Sequence, residues 1–190
     1  MNKNDIQTDL PRLETERLLL REVREGDVNA LYEYASEPKV TKYVTWEPHE
    51  SIKDSQAFID YIIQTNRENK SLTWAIELKR EEKMIGTIDL ANWNVGHSRA
   101  EIAYVLSHKH WGKGYMTEAA YQLLEYGFKT LGLNRIEARI LPGNIQSQRV
   151  LEKLGMTFEG VARQVLFCKN EFKDLAIYSL LADEYCDVKA

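Results

Sequence analysis

The sequence predicts one α/β domain, a mixed sheet of seven strands covered by helices. Three observations carry that expectation. Strand-like and helix-like segments follow one another in the order β-α-α-β-β-β-α-β-α-β-β. A chain of 190 residues suits one core and is short for two. No internal repeat, low-complexity run or linker-like stretch divides it.

Leu18 and Leu20 alternate with Arg17 and Arg21 in the first strand, although Leu19 blurs the pattern. Asp27 precedes a helical set, Val28, Leu31, Tyr32 and Ala35, which ends near Pro38. Ser51-x-x-Asp54 has the form of a capping box and opens a second helix, with Phe58, Ile62 and Thr65 on one face. Thr73–Leu78, Met84–Leu90 and Ala100–Ser107 read as successive strands, the first two joined by the charged turn Lys79–Lys83. The third helix has the clearest period: Ala120, Leu123, Leu124, Gly127, Phe128 and Leu131 form one apolar stripe, stopped by Gly132. Arg135–Leu141 is a strand and Gln146–Leu154 a short helix closed by Gly155. Phe158–Phe167 and Phe172–Leu181 finish as a hairpin around Lys169-Asn170-Glu171. Residues 1–12 are expected as a flexible segment, 13–182 as the domain and 183–190 as a tail.

Composition narrows the function classes. A net charge of −4 and a pI near 5.7 argue against broad nucleic-acid binding. No stretch approaches the roughly 20 apolar residues that span a bilayer. The polar start, Met1 to Asp9, does not read as a signal peptide. Two cysteines, Cys168 and Cys186, make no disulfide framework, so a reduced cytoplasmic setting is expected and Cys168 reads as an inert thiol. The four histidines show no metal-ligand spacing, and no metal is expected.

Between the strand Ala100–Ser107 and the helix from Tyr115 lies Lys109-His110-Trp111-Gly112-Lys113-Gly114. Glycines at 112 and 114 allow positive φ and close approach to a ligand. The turn feeds a helix amino terminus whose first N–H groups lack internal partners, a place suited to a pyrophosphate. Lys109 and Lys113 add positive charge in an acidic protein. A turn that merely joins strand to helix remains the alternative. Neither GxxxxGK[ST] nor a third glycine of GxGxxG is present, since position 117 is Thr, which speaks against a nucleotide-hydrolysing enzyme.

Glu101-Ile102-Ala103-Tyr104-Val105-Leu106 followed by Trp111-Gly112-Lys113-Gly114-Tyr115-Met116-Thr117-Glu118-Ala119 resembles the acetyl-CoA-binding segment of GNAT enzymes. Asn144-x-x-Ser147-x-x-Val150-Leu151-Glu152-Lys153-Leu154-Gly155-Met156, ending in Phe158-Glu159-Gly160, resembles their second motif. With Leu13 to Leu18 and Pro38 to Trp46, the likeness is closest to the branch that acetylates the amino-terminal alanine of ribosomal proteins. It spans about Leu13 to Leu181. One departure is Lys109, where the superfamily often carries Gln or Arg.

The resemblance implies a fold with two central strands splayed apart and acetyl-CoA in the fork. The pantetheine amides would pair near Tyr104, Val105 and Leu106. The pyrophosphate would take backbone N–H groups of Gly112, Lys113, Gly114, Tyr115 and Met116, with Thr117 adding its hydroxyl and Lys109 and Lys153 their charge. An amine attacks the thioester directly, which needs loss of a proton, oxyanion stabilisation and protonation of the thiolate. Ser147, three residues past Asn144, is the candidate for the thiol end; the plain alternative is a helix N-cap at Asn144 and an idle serine. Glu101 is the candidate base, and its alternative is a strand glutamate paired with a neighbouring Arg. A carboxylate on the sixth strand serves some relatives, but the matching position here is Leu166. Tyr43, Trp46 and Trp93 are expected at the acceptor cleft, with ordinary core or surface packing as the alternative. An α-amine ionises near 7.7–8.0 against about 10.4 for lysine, a difference of about 3.5 kcal/mol that favours an amino-terminal acceptor. A small amine such as an amino acid, polyamine or drug is the second reading, and a CoA-binding module without turnover the third. No membrane or direct nucleic-acid partner is expected; a homodimer is possible.

Overall fold

Eight strands form one sheet in the order β1-β2-β3-β4-β5-β6-β8-β7 in the computed structural model, which describes residues 10–188. The strands are β1 (Leu13–Glu14), β2 (Leu18–Glu22), β3 (Leu72–Leu78), β4 (Lys83–Asn94), β5 (Arg99–Leu106), β6 (Arg135–Ile140), β7 (Thr157–Cys168) and β8 (Glu171–Leu181). The helices are α1 (Val28–Ala35), α2 (Pro38–Thr41), α3 (Ile52–Arg67), α4 (Tyr115–Glu125), α5 (Ile145–Lys153) and α6 (Ala182–Val188). The eighth strand is the two-residue β1, too short for the alternation by which the other seven are recognised. No helix among the described residues is long and apolar enough to cross a membrane.

Several local signals hold. Ser51 and Asp54 form the reciprocal capping box of α3, Ser51 N donating to Asp54 at 2.8 Å. Pro38 differs: it opens the short α2 from its first turn, where its missing N–H is no loss. The apolar stripe beyond Glu125 continues not as α-helix but as a π-turn, Tyr126–Thr130, before Gly132 at φ +64°. That turn brings Gly127 so near β6 that a Cβ there would lie 2.7 Å from Ile136 Cδ1. Of the tail expected over 183–190, the described part belongs to α6, where Tyr185 stacks on Phe128. Residues 1–9 of the expected flexible segment lie outside the described residues.

The sheet carries a core on each face. Trp74, Ile76, Ile88, Leu90 and Ile102 pack against Met116, Ala120, Leu123 and Leu124 of α4. On the other face Ala75 and Met84 meet Leu31, Tyr34, Ile59 and Ile62 of α1 and α3. That second layer is tied down by a buried ion cluster. Arg21 on β2 grips Asp27 with two bonds of 2.8 Å and Glu77 of β3 at 2.5 Å. Asp27 also accepts from Arg24 N at 2.8 Å. The residue expected to start α1 therefore anchors the chain to the sheet.

All neighbouring strands are antiparallel except β5 and β6. These pair in parallel only at Arg99↔Arg135, Ala100↔Ile136 and Glu101↔Glu137. Beyond Glu101 they part: β5 continues along β4 to Leu106↔Gly86, and β6 along β8 to Ile140↔Ala176. Gly86 lets β4 and β5 approach, since a Cβ there would meet Val105 O at 2.3 Å.

Removing one partner of the buried cluster leaves an uncompensated charge. Asp27→Ala is expected to cost about 3 kcal/mol in urea unfolding, and a loss below about 1 kcal/mol would show that Glu77 alone satisfies Arg21.

Candidate active site

The parting of β5 from β6 leaves the outer edge of β5 unpaired from Ile102 onward. An unpaired edge presents backbone N–H and C=O groups to any extended ligand that enters. Ala103 lies in the middle of this central strand yet is exposed, so the fork is open at that level. Across it stands α5, placed by the turn after β6. Tyr104 Oη lies 2.9 Å from Ser147 Oγ and donates to Ser147 O at 3.4 Å. Asn144 caps α5, its Oδ1 accepting from Ser147 N at 3.2 Å. Ser147 is buried and has a partner, so the reading of an idle serine fails, whereas Asn144 is the N-cap that the plain reading expects. Burial pushes the Tyr104 phenol well up, the bond to Ser147 drawing it partly back.

At the other end of β5 the glycine turn adopts the backbone its residues suggest. Gly112 has φ +73° and Gly114, the N-cap of α4, φ +79°. Nothing lies within 4 Å of a Cβ built at Gly112, so conformation and not crowding calls for glycine there. The first helical bond runs from Glu118 N to Gly114 O, and the earlier amides of the turn precede it. The side chains of Tyr115 and Met116 are buried, which leaves their backbone to serve the turn. Leu106 is buried with its carbonyl accepting from Trp111 Nε1 at 2.8 Å; Val105 is half-buried. Thr117 and Lys153 line a depression of about 520 Å³ with Gly114, Glu118 and Tyr121. The lysines of the turn are committed elsewhere: Lys109 pairs with Glu33, and Lys113 donates to Lys109 O at 2.9 Å.

The three aromatic residues expected at the acceptor cleft separate. Tyr43 Oη lies 3.8 Å from where a Cβ of Gly143 would stand, beside the turn that leads into α5. Trp46 packs on His49 and Phe58 over α3. Trp93 is only 7% exposed and belongs to the main core, so it is not carried forward as an acceptor contact.

A family model for the acetyltransferase (GNAT) domain matches residues 17–157. The chain belongs to the GNAT acetyltransferases. It is 37% identical over 173 residues to an uncharacterized N-acetyltransferase, p20, of Bacillus licheniformis, covering 91% of this chain and 97% of that protein. A solved GNAT-family acetyltransferase from Bacillus anthracis superposes with a TM-score of 0.81 at 33% identity, over 92% of this chain and 100% of that one. A spermidine N(1)-acetyltransferase of Vibrio cholerae is 24% identical over 89% of this chain and 95% of its own. GNAT acetyltransferases take the acetyl group from acetyl-CoA and pass it to an amine, and this chain is an acetyl-transferring enzyme.

In this GNAT chain Glu101 stands at the base of the fork with its carboxylate engaged. Asn92 Nδ2 donates to it at 3.0 Å and Arg139 Nε lies 3.7 Å away. The pairing with a neighbouring arginine is thus present. Arg139 also bonds Glu137 at 2.8 Å, Arg135 bonds Glu137 at 3.1 Å, and Arg135 grips Glu159, which Ser179 supports at 2.7 Å. Two groups escaped sequence reasoning. Arg17 donates to Lys113 O at 3.0 Å, lies 4.5 Å over the Tyr115 ring and pairs with Glu118 at 2.6 Å, bracing the glycine turn. The only trace of it was its place in the Leu13–Leu18 motif. Asp89 faces the α1–α3 side of β4, opposite Ala103, and nothing in its sequence surroundings marks it.

Gly112→Ala and Gly114→Ala force an L side chain into left-handed backbone. Each is expected to weaken acetyl-CoA binding about tenfold in calorimetric titration, while Lys113→Ala, which removes an exposed charge, changes it less than about threefold.

Proposed function

We propose that this enzyme acetylates the free α-amine of a protein amino terminus, with acetyl-CoA lying in the β5/β6 fork. The observation that supports it most is the Tyr104–Ser147 pair, which crosses the fork while the two left-handed glycines stand at the other end of the same strand. In this reading the pyrophosphate takes the backbone amides of Gly112 to Met116, assisted by Thr117 and by Lys153. The pantetheine amides pair with the open edge of β5 from Tyr104 to Leu106. The thioester then reaches the level of Ala103 and Ser147.

The neutral amine nitrogen attacks the thioester carbon, the C–S bond breaks, and the electron pair leaves on sulfur. A thiol ionises near 8.5, well below a serine or tyrosine hydroxyl, so Ser147 stabilises the thiolate by a hydrogen bond, and solvent completes its protonation. Tyr104 orients that hydroxyl, and Asn144 fixes the first turn of α5 on which it rides. Glu101, already held by Asn92 and Arg139, lines the acceptor side of the fork.

The choice of an α-amine rests on chemistry and on the likeness of residues 13–18 and 38–46 to the ribosomal-protein branch. An α-amine at 7.7–8.0 is substantially neutral near pH 8, whereas amines near 10.4 are neutral in well under 1% of molecules. Tyr43 beside Gly143 and the exposed Ala103 leave the acceptor side open to a chain end. A polyamine is the rival, since two relatives are named spermidine N(1)-acetyltransferases.

Thiol release from acetyl-CoA separates the readings. Peptides with a free terminal alanine are expected to react at least tenfold faster, by kcat/KM, than the same peptides blocked at the terminus with only lysine free. Spermidine outpacing every peptide would replace the α-amine reading. Ser147→Ala is expected to lower kcat about tenfold without abolishing turnover, the loss of one hydrogen bond to a charged group, and an unchanged kcat would remove Ser147 from the thiol end.

A further inference from the structure

We infer that Asp89, and not Glu101, takes the proton from the acceptor ammonium. The inference rests on the acetyl-transfer reading given above and adds a catalytic residue to it.

The argument begins from register. Asp89 of β4 pairs with Ala103 of β5, while Glu101 pairs with Ala91, so Asp89 and Glu101 are diagonal neighbours on one sheet face. Diagonal positions lie about 7–8 Å apart between Cα atoms, and direct cross-strand partners about 4.5–5.5 Å between Cβ atoms. Ala103 is the first residue past the fork whose side chain shares this face, and it is exposed. An acceptor nitrogen resting on Ala103 would therefore meet the open edge of β5 on one side and the Asp89 carboxylate on the other.

The two carboxylates differ in what holds them. Glu101 has Asn92 and Arg139. Asp89 has Ser71 Oγ at 3.4 Å, itself 3.3 Å from Thr73 Oγ1, and no cationic side chain within ion-pairing distance among the described residues. From β5 the charged group facing it is Glu101; β3 offers Thr73, and the segment before β3 offers Ser71. Burial, reinforced by the Glu101 charge, raises Asp89 to about 7, with Ser71 drawing it partly back. A base acting near neutral pH is best poised at such a value.

The proton balance is simple. The ammonium gives one proton to Asp89, which passes it to solvent. The freed nitrogen attacks, and its second proton ends on the departing sulfur or in solvent once the C–S bond has broken.

The sign of the stability effect follows from the raised ionisation. An aspartate that ionises higher when folded contributes its stability below the unfolded value of about 3.9 and loses it as pH rises through about 7. Asp89→Asn is therefore expected to melt above the unsubstituted protein at pH 8, the gain shrinking toward pH 4.

The test is the pH profile of kcat/KM with a peptide bearing a free amino-terminal alanine, for the unsubstituted enzyme, Asp89→Asn, Asp89→Glu and Glu101→Gln. The unsubstituted enzyme should show an acidic limb near 7. Asp89→Asn should lose the limb near 7, keep only one at the amine's own 7.7–8.0, and fall about 10²- to 10⁴-fold at pH 7, with acetyl-CoA affinity unchanged and the deficit narrowing at high pH. Asp89→Glu should recover part of the rate, and Glu101→Gln should keep the limb. An active enzyme whose Asp89→Asn variant keeps both limb and rate overturns the assignment alone, as does loss of the limb in Glu101→Gln. An unsubstituted enzyme that binds acetyl-CoA and acetylates no amine overturns the assignment and the function together.

Discussion

Everything on the cofactor side depends on the place where β5 and β6 stop pairing. A parallel ladder of three residue pairs is short, and unpaired backbone polar groups inside a sheet are costly unless something else satisfies them. Each strand keeps its other neighbour: β5 follows β4 for its whole length, and β6 follows β8. The fork therefore opens without loosening the sheet. Gly86 contributes to this by allowing β4 to press against β5 at Val105, where any side chain would collide with the Val105 carbonyl. A second brace spans the gap itself, Tyr104 reaching from one limb to Ser147 on the helix that follows the other. The amino end of α4 and the first turn of α5 are consequently held on opposite sides of one slot.

Charge closes the base of the same fork. From Asn92 through Glu101, Arg139, Glu137, Arg135 and Glu159 to Ser179, polar contacts cross five strands and alternate in sign. Glu159, with Arg135 and Ser179 on its carboxylate, is held down to about 2, and Glu137 is lowered by its two arginines against the opposing effect of burial. Exposed members of such a chain add little stability singly. Their collective effect is to neutralise one another, so that the carboxylates at the foot of the fork are spoken for. Asp89 stands one strand from Glu101 on the same face and outside this chain, and burial beside the Glu101 charge pushes it upward. The Arg21, Asp27 and Glu77 cluster solves the same problem nearer the β2 edge of that face, where Arg21 and Asp27 are buried beneath α1 and α3 with the half-buried Glu77 beside them.

Legibility in the sequence followed the range of the interactions concerned. Ser51 and Asp54, Asn144 and Ser147, and the glycines at 112, 114, 132 and 155 act within a few residues of themselves, and each does in the fold what its spacing suggests. The seven longer strands have enough alternation or apolar length to announce themselves. What escaped depends on register between distant segments. Nothing near Arg21 indicates that Glu77 of β3 will join Asp27 on its guanidinium, nor does Asp89 reveal that Ala103 will lie opposite it. The π-turn after Glu125 hides inside the apolar stripe, because its longer i→i+5 hydrogen-bond step has no signature in residue type. Trp93 shows the converse: the family resemblance suggests an acceptor contact, and the fold buries it in the main core, the alternative its residue type also allowed.

The same distinction separates the two halves of the site. In the proposed reading the half that holds coenzyme uses backbone amides and an open strand edge, features that a short run of glycines and one capped helix can specify almost alone. In that reading the half that meets the amine uses side chains from β4, β5 and the loops near α2, and their effect lies in which of them face one another. A single nearby cation decides whether a carboxylate is paired, as Glu101 is by Arg139, or left without one, as at Asp89. Enzymes of one fold can thus keep the acetyl donor constant while small changes of register partners alter the proton acceptor and the charge an acceptor must carry. On the proposed acceptor side the carboxylate without a paired cation is Asp89, beside the exposed Ala103, and that arrangement suits a single ammonium.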